Sequence, residues 1–161
     1  GRLHYATIGS CIHDIFAIYQ KGNHDANRQK AINIIGGYGV PLARHVDALL
    51  RSAEWLHDTL QSKFPQQSGD KTERELPFMM TLPDDTTLRG EMDLLWHYTD
   101  ATGKHCILVD YKSFQGVDLN EHTKSHYAQL SAYVSALKDA GIDVTHTRIY
   151  YPTHLKIHEL Q

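Results

Sequence analysis

At 161 residues the chain is long enough to bury a real core and too short for two independent ones. It carries 16 Lys plus Arg against 19 Asp plus Glu, a net charge of −3 with histidine neutral, which excludes the strongly basic surface that holds nucleic acid tightly without help. No apolar run approaches the roughly 18 residues of a membrane span, the first residues lack a secretory pattern, and Cys11 and Cys106 are too few for a four-thiolate iron–sulfur cluster and fit no disulfide framework. A cytoplasmic location, no membrane and no iron–sulfur cluster are the expectations.

The first half of the chain reads as helical. Ile8, Ile12, Ile15, Phe16 and Tyr19 recur at helical spacing, predicting an amphipathic helix over 7–20 with Thr7 as its N-cap. A second helix is expected from about Asn27 to Ile35, stopped by Gly36-Gly37. After Pro41, the run Leu42, Val46, Leu49, Leu50, Ala53, Leu56 and Leu60 predicts a long helix ending near Phe64-Pro65.

The second half changes period. Residues 73–81 and 87–98 read as strands joined by a turn at Pro83-Asp84-Asp85, and 105–112 follows a turn within 100–103. The unbroken apolar run Ile107-Leu108-Val109 marks a central strand buried on both faces. Helical spacing returns through Tyr127, Leu130, Tyr133, Val134 and Leu137, predicting a helix over 122–140 before Gly141. Residues 144–151 and 154–160 are expected as two closing strands around Pro152. Helices, three strands, a helix and two strands make one α/β domain: a mixed sheet flanked by helices.

The chemistry concentrates on the second hairpin. Pairing 87–98 with 105–112 about Ala101-Thr102 sets Asp93 opposite Asp110, or one residue off. Facing residues on an antiparallel pair have Cβ atoms roughly 4.5–5.5 Å apart, and two carboxylates that close beside apolar neighbours repel and lose hydration. A divalent cation between them, or one bound proton, relieves this. Lys112 follows Asp110 by two positions and so shares its face. Two hard oxygen ligands beside an ammonium suit phosphodiester hydrolysis. The plainer alternative is a surface hairpin with an ion pair. A closed zinc site is not supported, because the 12 histidines are scattered at no recognised ligand spacing.

Gly90-Glu-Met-Asp93, Val109-Asp-Tyr-Lys-Ser113 and Gln129-Leu-Ser-Ala-Tyr133, with Gly9-Ser-Cys-Ile-His13 upstream, resemble, in order, the motifs of RecB-like nucleases of the PD-(D/E)XK superfamily. The resemblance implies a restriction-endonuclease-like α/β fold and a metal-dependent deoxyribonuclease of DNA repair or recombination. It implies His13, Asp93, Asp110 and the Tyr111 carbonyl as ligands of Mg²⁺ or Mn²⁺, with Lys112 as the catalytic lysine. Gln129 and Tyr133 would position the strand or the lysine beside the catalytic carboxylates, Glu75 would play a supporting part, and Ser113 would order the strand end. Without the motifs, His13 would read as a core histidine, Tyr133 as core and Gln129 as a solvated surface residue. The domain looks most like the nuclease module of AddA/UvrD-like helicase–nucleases, which makes single-stranded DNA and helicase domains of the same chain the expected partners. The competing function is a degenerate nuclease fold that binds a strand or a partner without cutting.

Overall fold

The computed structural model describes residues 2–112, 124, 126–152 and 156–160. Three helices come first: α1 (Arg2–Ile18), α2 (His24–Tyr38) and α3 (Val46–Lys63), the last preceded by a short 3₁₀ turn over Ala43–His45. Strands β1 (Thr72–Thr81), β2 (Thr87–Asp100) and β3 (Gly103–Tyr111) follow, then helix α4 (Tyr127–Asp139) and strands β4 (Val144–Tyr151) and β5 (Lys156–Leu160). The element order is the one that periodicity predicts, and the fold is a mixed five-stranded sheet with flanking helices.

Two boundaries differ from the sequence reading. Helix α1 already includes Arg2, so Thr7 is an interior residue and not a cap. Helix α2 runs through Gly36-Gly37 and ends where Gly39 adopts φ 65°, its N–H bonded to the Ile35 and Gly36 carbonyls. A helix tolerates glycine at about 1 kcal/mol each, but the left-handed turn needs a residue without a Cβ penalty. Part of the predicted 122–140 helix and of the 154–160 strand, and all of Ser113, lie outside the described residues.

The sheet order is β1-β2-β3-β4-β5, with β3 and β4 parallel and the other neighbours antiparallel. The parallel pair requires a crossover, and α4 lies within it. Strand β3 is central, and Ile107, Leu108 and Val109 are fully buried. Alternation divides its side chains between two cores: Ile107, Val109 and Tyr111 pack with α1–α3, while Cys106 and Leu108 pack with Leu130, Tyr133 and Leu137 of α4. That three-layer arrangement leaves the C-terminal ends of the parallel strands as the open rim on which α/β proteins carry their sites.

Candidate active site

Strands β2 and β3 pair as Asp100↔Gly103 back to Leu94↔Val109, and continuing that register by one step sets Asp93 against Asp110. Both are buried, and with Asn27 and Ser52 they are the only buried polar or charged residues among those described. Two unpaired carboxylates would be intolerable there, so their surroundings decide what they can do.

Asp93 is well held. Its Oδ1 accepts a hydrogen bond from the ring Nδ1 of His13 at 3.1 Å, and its Oδ2 accepts one from the Tyr111 amide at 2.7 Å. Burial works against its charge, but His13 and the Tyr111 amide outweigh it and hold the carboxyl below its usual range. His13 reaches the pair from α1, its ring set edge-on to that of Tyr111 with the centroids 5.7 Å apart. Burial disfavours the imidazolium, yet the bond and charge of Asp93, with Asp110 behind it, raise its pKa.

Asp110 is the opposite case. Its Oδ2 is buried without an aligned hydrogen bond among the described residues, although the Lys112 ammonium stands 2.9 Å away. At 2.9 Å the two groups form an ion pair whatever the donor angle. Burial first, then the Asp93 charge, pushes the Asp110 carboxyl far above the carboxylate range, and Lys112 opposes this without overcoming it. The pair therefore splits into one ionised and one proton-retaining member, as close like charges in a dry site do.

A cleft of about 600 Å³ opens beside the pair, walled by Gly9 and His13 of α1, Tyr38 of α2, Glu75 and Glu91 of the first hairpin, and Tyr111 and Lys112 at the end of β3. The Gly-x-x-x-His spacing thus sets Gly9 and His13 one helical turn apart on one wall. Asp14 also lines it and accepts a hydrogen bond from the Tyr38 hydroxyl at 2.6 Å. Lys112 is the sole lysine or arginine in this wall among the described residues, and the carboxylates of Asp14, Glu75 and Glu91 share that wall.

Tyr133 is buried on the sheet side of α4, its ring 4.8 Å from Phe78, and its hydroxyl accepts a 3.0 Å bond from Gln129 Nε2. Gln129 itself is exposed. The structure therefore brings His13, Asp93, Asp110, Tyr111 and Lys112 together, with the Gln129–Tyr133 pair beside Gly90 on β2 and the Tyr133 hydroxyl within electrostatic reach of both carboxylates.

Sequence reasoning missed the conformation of Glu75. It sits in β1 between the pairs Arg74↔Leu94 and Leu76↔Met92, and so opposite Asp93, at φ 51°. A non-glycine residue held there is strained. Burial, then Glu91, Asp14 and Asp93, raises its carboxyl. No sequence pattern announces a left-handed glutamate, and the Glu-Leu-Pro-Phe stretch is the only pointer to this spot.

Among the described residues no three His, Cys, Asp or Glu side chains are already spaced as a metal cage. The His13–Asp93 hydrogen bond engages the imidazole Nδ1 and one carboxylate oxygen. The donors nonetheless suit a hard divalent cation. Asp110 offers a buried oxygen lacking an aligned hydrogen bond, Asp93 a fixed carboxylate, His13 an imidazole, and the Tyr111 carbonyl projects to the same side of β3 as its Asp93-bound amide.

The profile described as the PD-(D/E)XK nuclease superfamily matches residues 2–157, nearly the whole chain. No curated protein sequence matches it.

Proposed function

The chain belongs to the PD-(D/E)XK nuclease superfamily, and on that premise we propose that it is a divalent-metal-dependent deoxyribonuclease of the RecB-like branch, working in DNA repair or recombination. The observation that carries the reading is Asp110, a buried carboxyl whose Oδ2 lacks an aligned hydrogen bond among the described residues, which faces Asp93 and has Lys112 at 2.9 Å. A non-cutting module gains nothing from such a group.

His13, Asp93, Asp110 and the Tyr111 carbonyl would hold the ion, with Mg²⁺ or Mn²⁺ fitting a mixed oxygen and imidazole set. When bound, the ion supplies Lewis-acid polarisation of the phosphate and an acidified water. Asp93 keeps His13 and the Tyr111 amide in register. Lys112 orients the attacking water through its ammonium and steadies charge developing on the phosphate oxygens. Gln129 and Tyr133 brace the strand at Gly90.

The acidic cleft bears on the substrate. A polyanion gains little from a wall holding Asp14, Glu75 and Glu91, so we assign delivery of a single strand to helicase domains of the same chain, in the AddA/UvrD-like manner. Tethering supplies an effective concentration that reaches about millimolar.

The deciding experiment is a cleavage assay on labelled single- and double-stranded DNA with Mg²⁺, Mn²⁺ or EDTA. We expect metal-dependent cutting with a preference for single strands. Absence of cutting with every metal would leave a degenerate, strand-binding fold.

A further inference from the structure

A second depression lies on the other flank of α1. It has a volume of about 700 Å³, and its wall is apolar through Ile12, Leu49, Trp55 and Pro152, with His45 and Arg51 as the charged or titratable members and no carboxylate among the described residues. Neither His45 nor Arg51 makes an ion pair among the described residues. In a chain of net charge −3, whose neighbouring cleft is walled by acids, this absence of carboxylates is unusual.

The position is as telling as the composition. Ile12 lines this groove and the next residue, His13, lines the cleft. Strands β3 and β4 run parallel with Tyr111↔Tyr150 in register, and the Lys112 amide bonds the Tyr150 carbonyl at 3.0 Å. Pro152 therefore emerges at the same end of the sheet as Lys112. The two depressions share one rim.

Trp55 is built as a platform. Its indole lies nearly parallel to the Tyr150 ring, 5.7 Å between centroids and 19° between planes, and remains 38% exposed. Tyr150 is fully buried and pinned by its hydroxyl, which lies 2.7 Å from Ser52 Oγ and donates to the Ser52 carbonyl. A rigid, half-open indole beside an arginine, in a wall whose described residues include no acid although Arg51 also borders Asp25, Asp47 and Glu54 on its other side, matches the chemistry of unpaired nucleobases on a phosphate backbone, where rings stack and cations track the chain.

We propose that this groove is a nucleobase-stacking subsite for the single strand whose phosphate is attacked at the cleft, with Trp55 as the stacking surface and Arg51 and His45 on the flanking phosphates. The strand then gains its affinity here, where charge is favourable, and crosses the α1 rim to Lys112. This rests on the nuclease reading for the identity of the strand, but its test is independent of cutting.

The test uses equilibrium binding in EDTA of two short strands of equal length, an oligothymidylate and an abasic phosphodiester. Quenching of tryptophan fluorescence by a stacked base reports chiefly on Trp55, because Trp96 is 1% exposed. The oligothymidylate should quench it and bind about tenfold tighter than the abasic strand. Trp55→Ala should reduce binding to the abasic level, while Trp55→Phe keeps most of it and guards against a folding defect. Arg51→Ala should weaken both strands and lower the salt slope by about one. Equal binding of the two strands, or wild-type binding by Trp55→Ala, overturns the proposal and leaves the groove to a protein partner. Cleavage in Mn²⁺ is scored separately. Normal cutting with no base-dependent binding removes the groove and keeps the nuclease; base-dependent quenching with no cutting removes the nuclease and keeps the groove.

Discussion

A β-carbon added to Gly90 would stand 2.5 Å from the hydroxyl oxygen of Tyr133. The glycine three residues before Asp93 and the tyrosine of α4 are thus one packing unit, and each explains the other. The Tyr133 tip cannot swing aside, because its ring rests on Phe78 and its hydroxyl is bonded to Gln129. Gly90→Ala should cost about 1–3 kcal/mol, as overpacking does. Tyr133→Phe removes the clashing oxygen and leaves ring carbons no nearer than 3.4 Å, so the double variant should melt higher than Gly90→Ala alone. Thermal denaturation of the four-member cycle measures this; a strictly additive cycle would contradict the contact.

Lys112→Ala should leave the fold intact and remove most cleavage. Its side chain is partly exposed and its near neighbour is the Asp110 carboxylate at 2.9 Å, so little packing is lost. Removing a group that stabilises developing charge typically lowers the rate by about 10²–10³. The check is the single-turnover rate at saturating Mn²⁺, with circular dichroism to verify the fold. An unchanged rate there would show that the lysine only neutralises Asp110.

At the far end of the hairpin, His105 is clamped between two acids. Its Nδ1 lies 2.6 Å from Asp143 and its Nε2 3.0 Å from Asp100 and 2.7 Å from the Thr102 hydroxyl. The Asp143 bond, with Asp100 assisting against burial, raises the imidazole pKa. A raised histidine stabilises the fold when protonated. That contribution is fully present below the ordinary histidine value near 6.5 and is lost as pH rises through the raised folded value. The melting temperature should therefore fall across that window in the wild type and fall less in His105→Gln. Parallel pH profiles for the two proteins would remove the clamp as the cause.

The hairpin register was legible because it needs only a turn at Ala101-Thr102 and a strict alternation of faces. The same counting sets Asp93 opposite Asp110 and Lys112 beside Asp110. Position along a helix was legible too, since His13 and Gly9 share a face by spacing alone. What stayed hidden depends on contacts between distant segments. The His13–Asp93 bond spans 80 residues, and the Tyr133–Gly90 contact joins an exposed-looking helix motif to a strand glycine. Glu75 at φ 51° is imposed by the sheet against its own preference. The start of α1 differs because Thr7 resembles a cap, whereas the helix already runs from Arg2. The Trp55 groove offers no linear motif, because its wall is drawn from α1, α3 and the end of β4.

The facing carboxylates should respond unequally to removal, although in sequence they look equivalent. Asp93 accepts hydrogen bonds from His13 and from the Tyr111 amide, so Asp93→Ala strands a buried amide and frees an imidazole. That variant should lose metal-free stability, because leaving a buried donor unsatisfied costs about 1–3 kcal/mol. Asp110 accepts no backbone amide among the described residues: its Oδ2 lacks an aligned partner, and burial keeps the carboxyl raised. A carboxyl raised on folding takes stability away as pH climbs above the unfolded value of about 3.9. Asp110→Asn should therefore melt higher than the wild type at pH 8 without metal, and the gap should close toward pH 4. Both variants should lose divalent-ion affinity, which calorimetric titration with Mn²⁺ reads directly. If the two variants shift the metal-free melting temperature in the same direction, the division of labour between Asp93 and Asp110 is wrong; if both still bind Mn²⁺ like the wild type, the ion sits elsewhere.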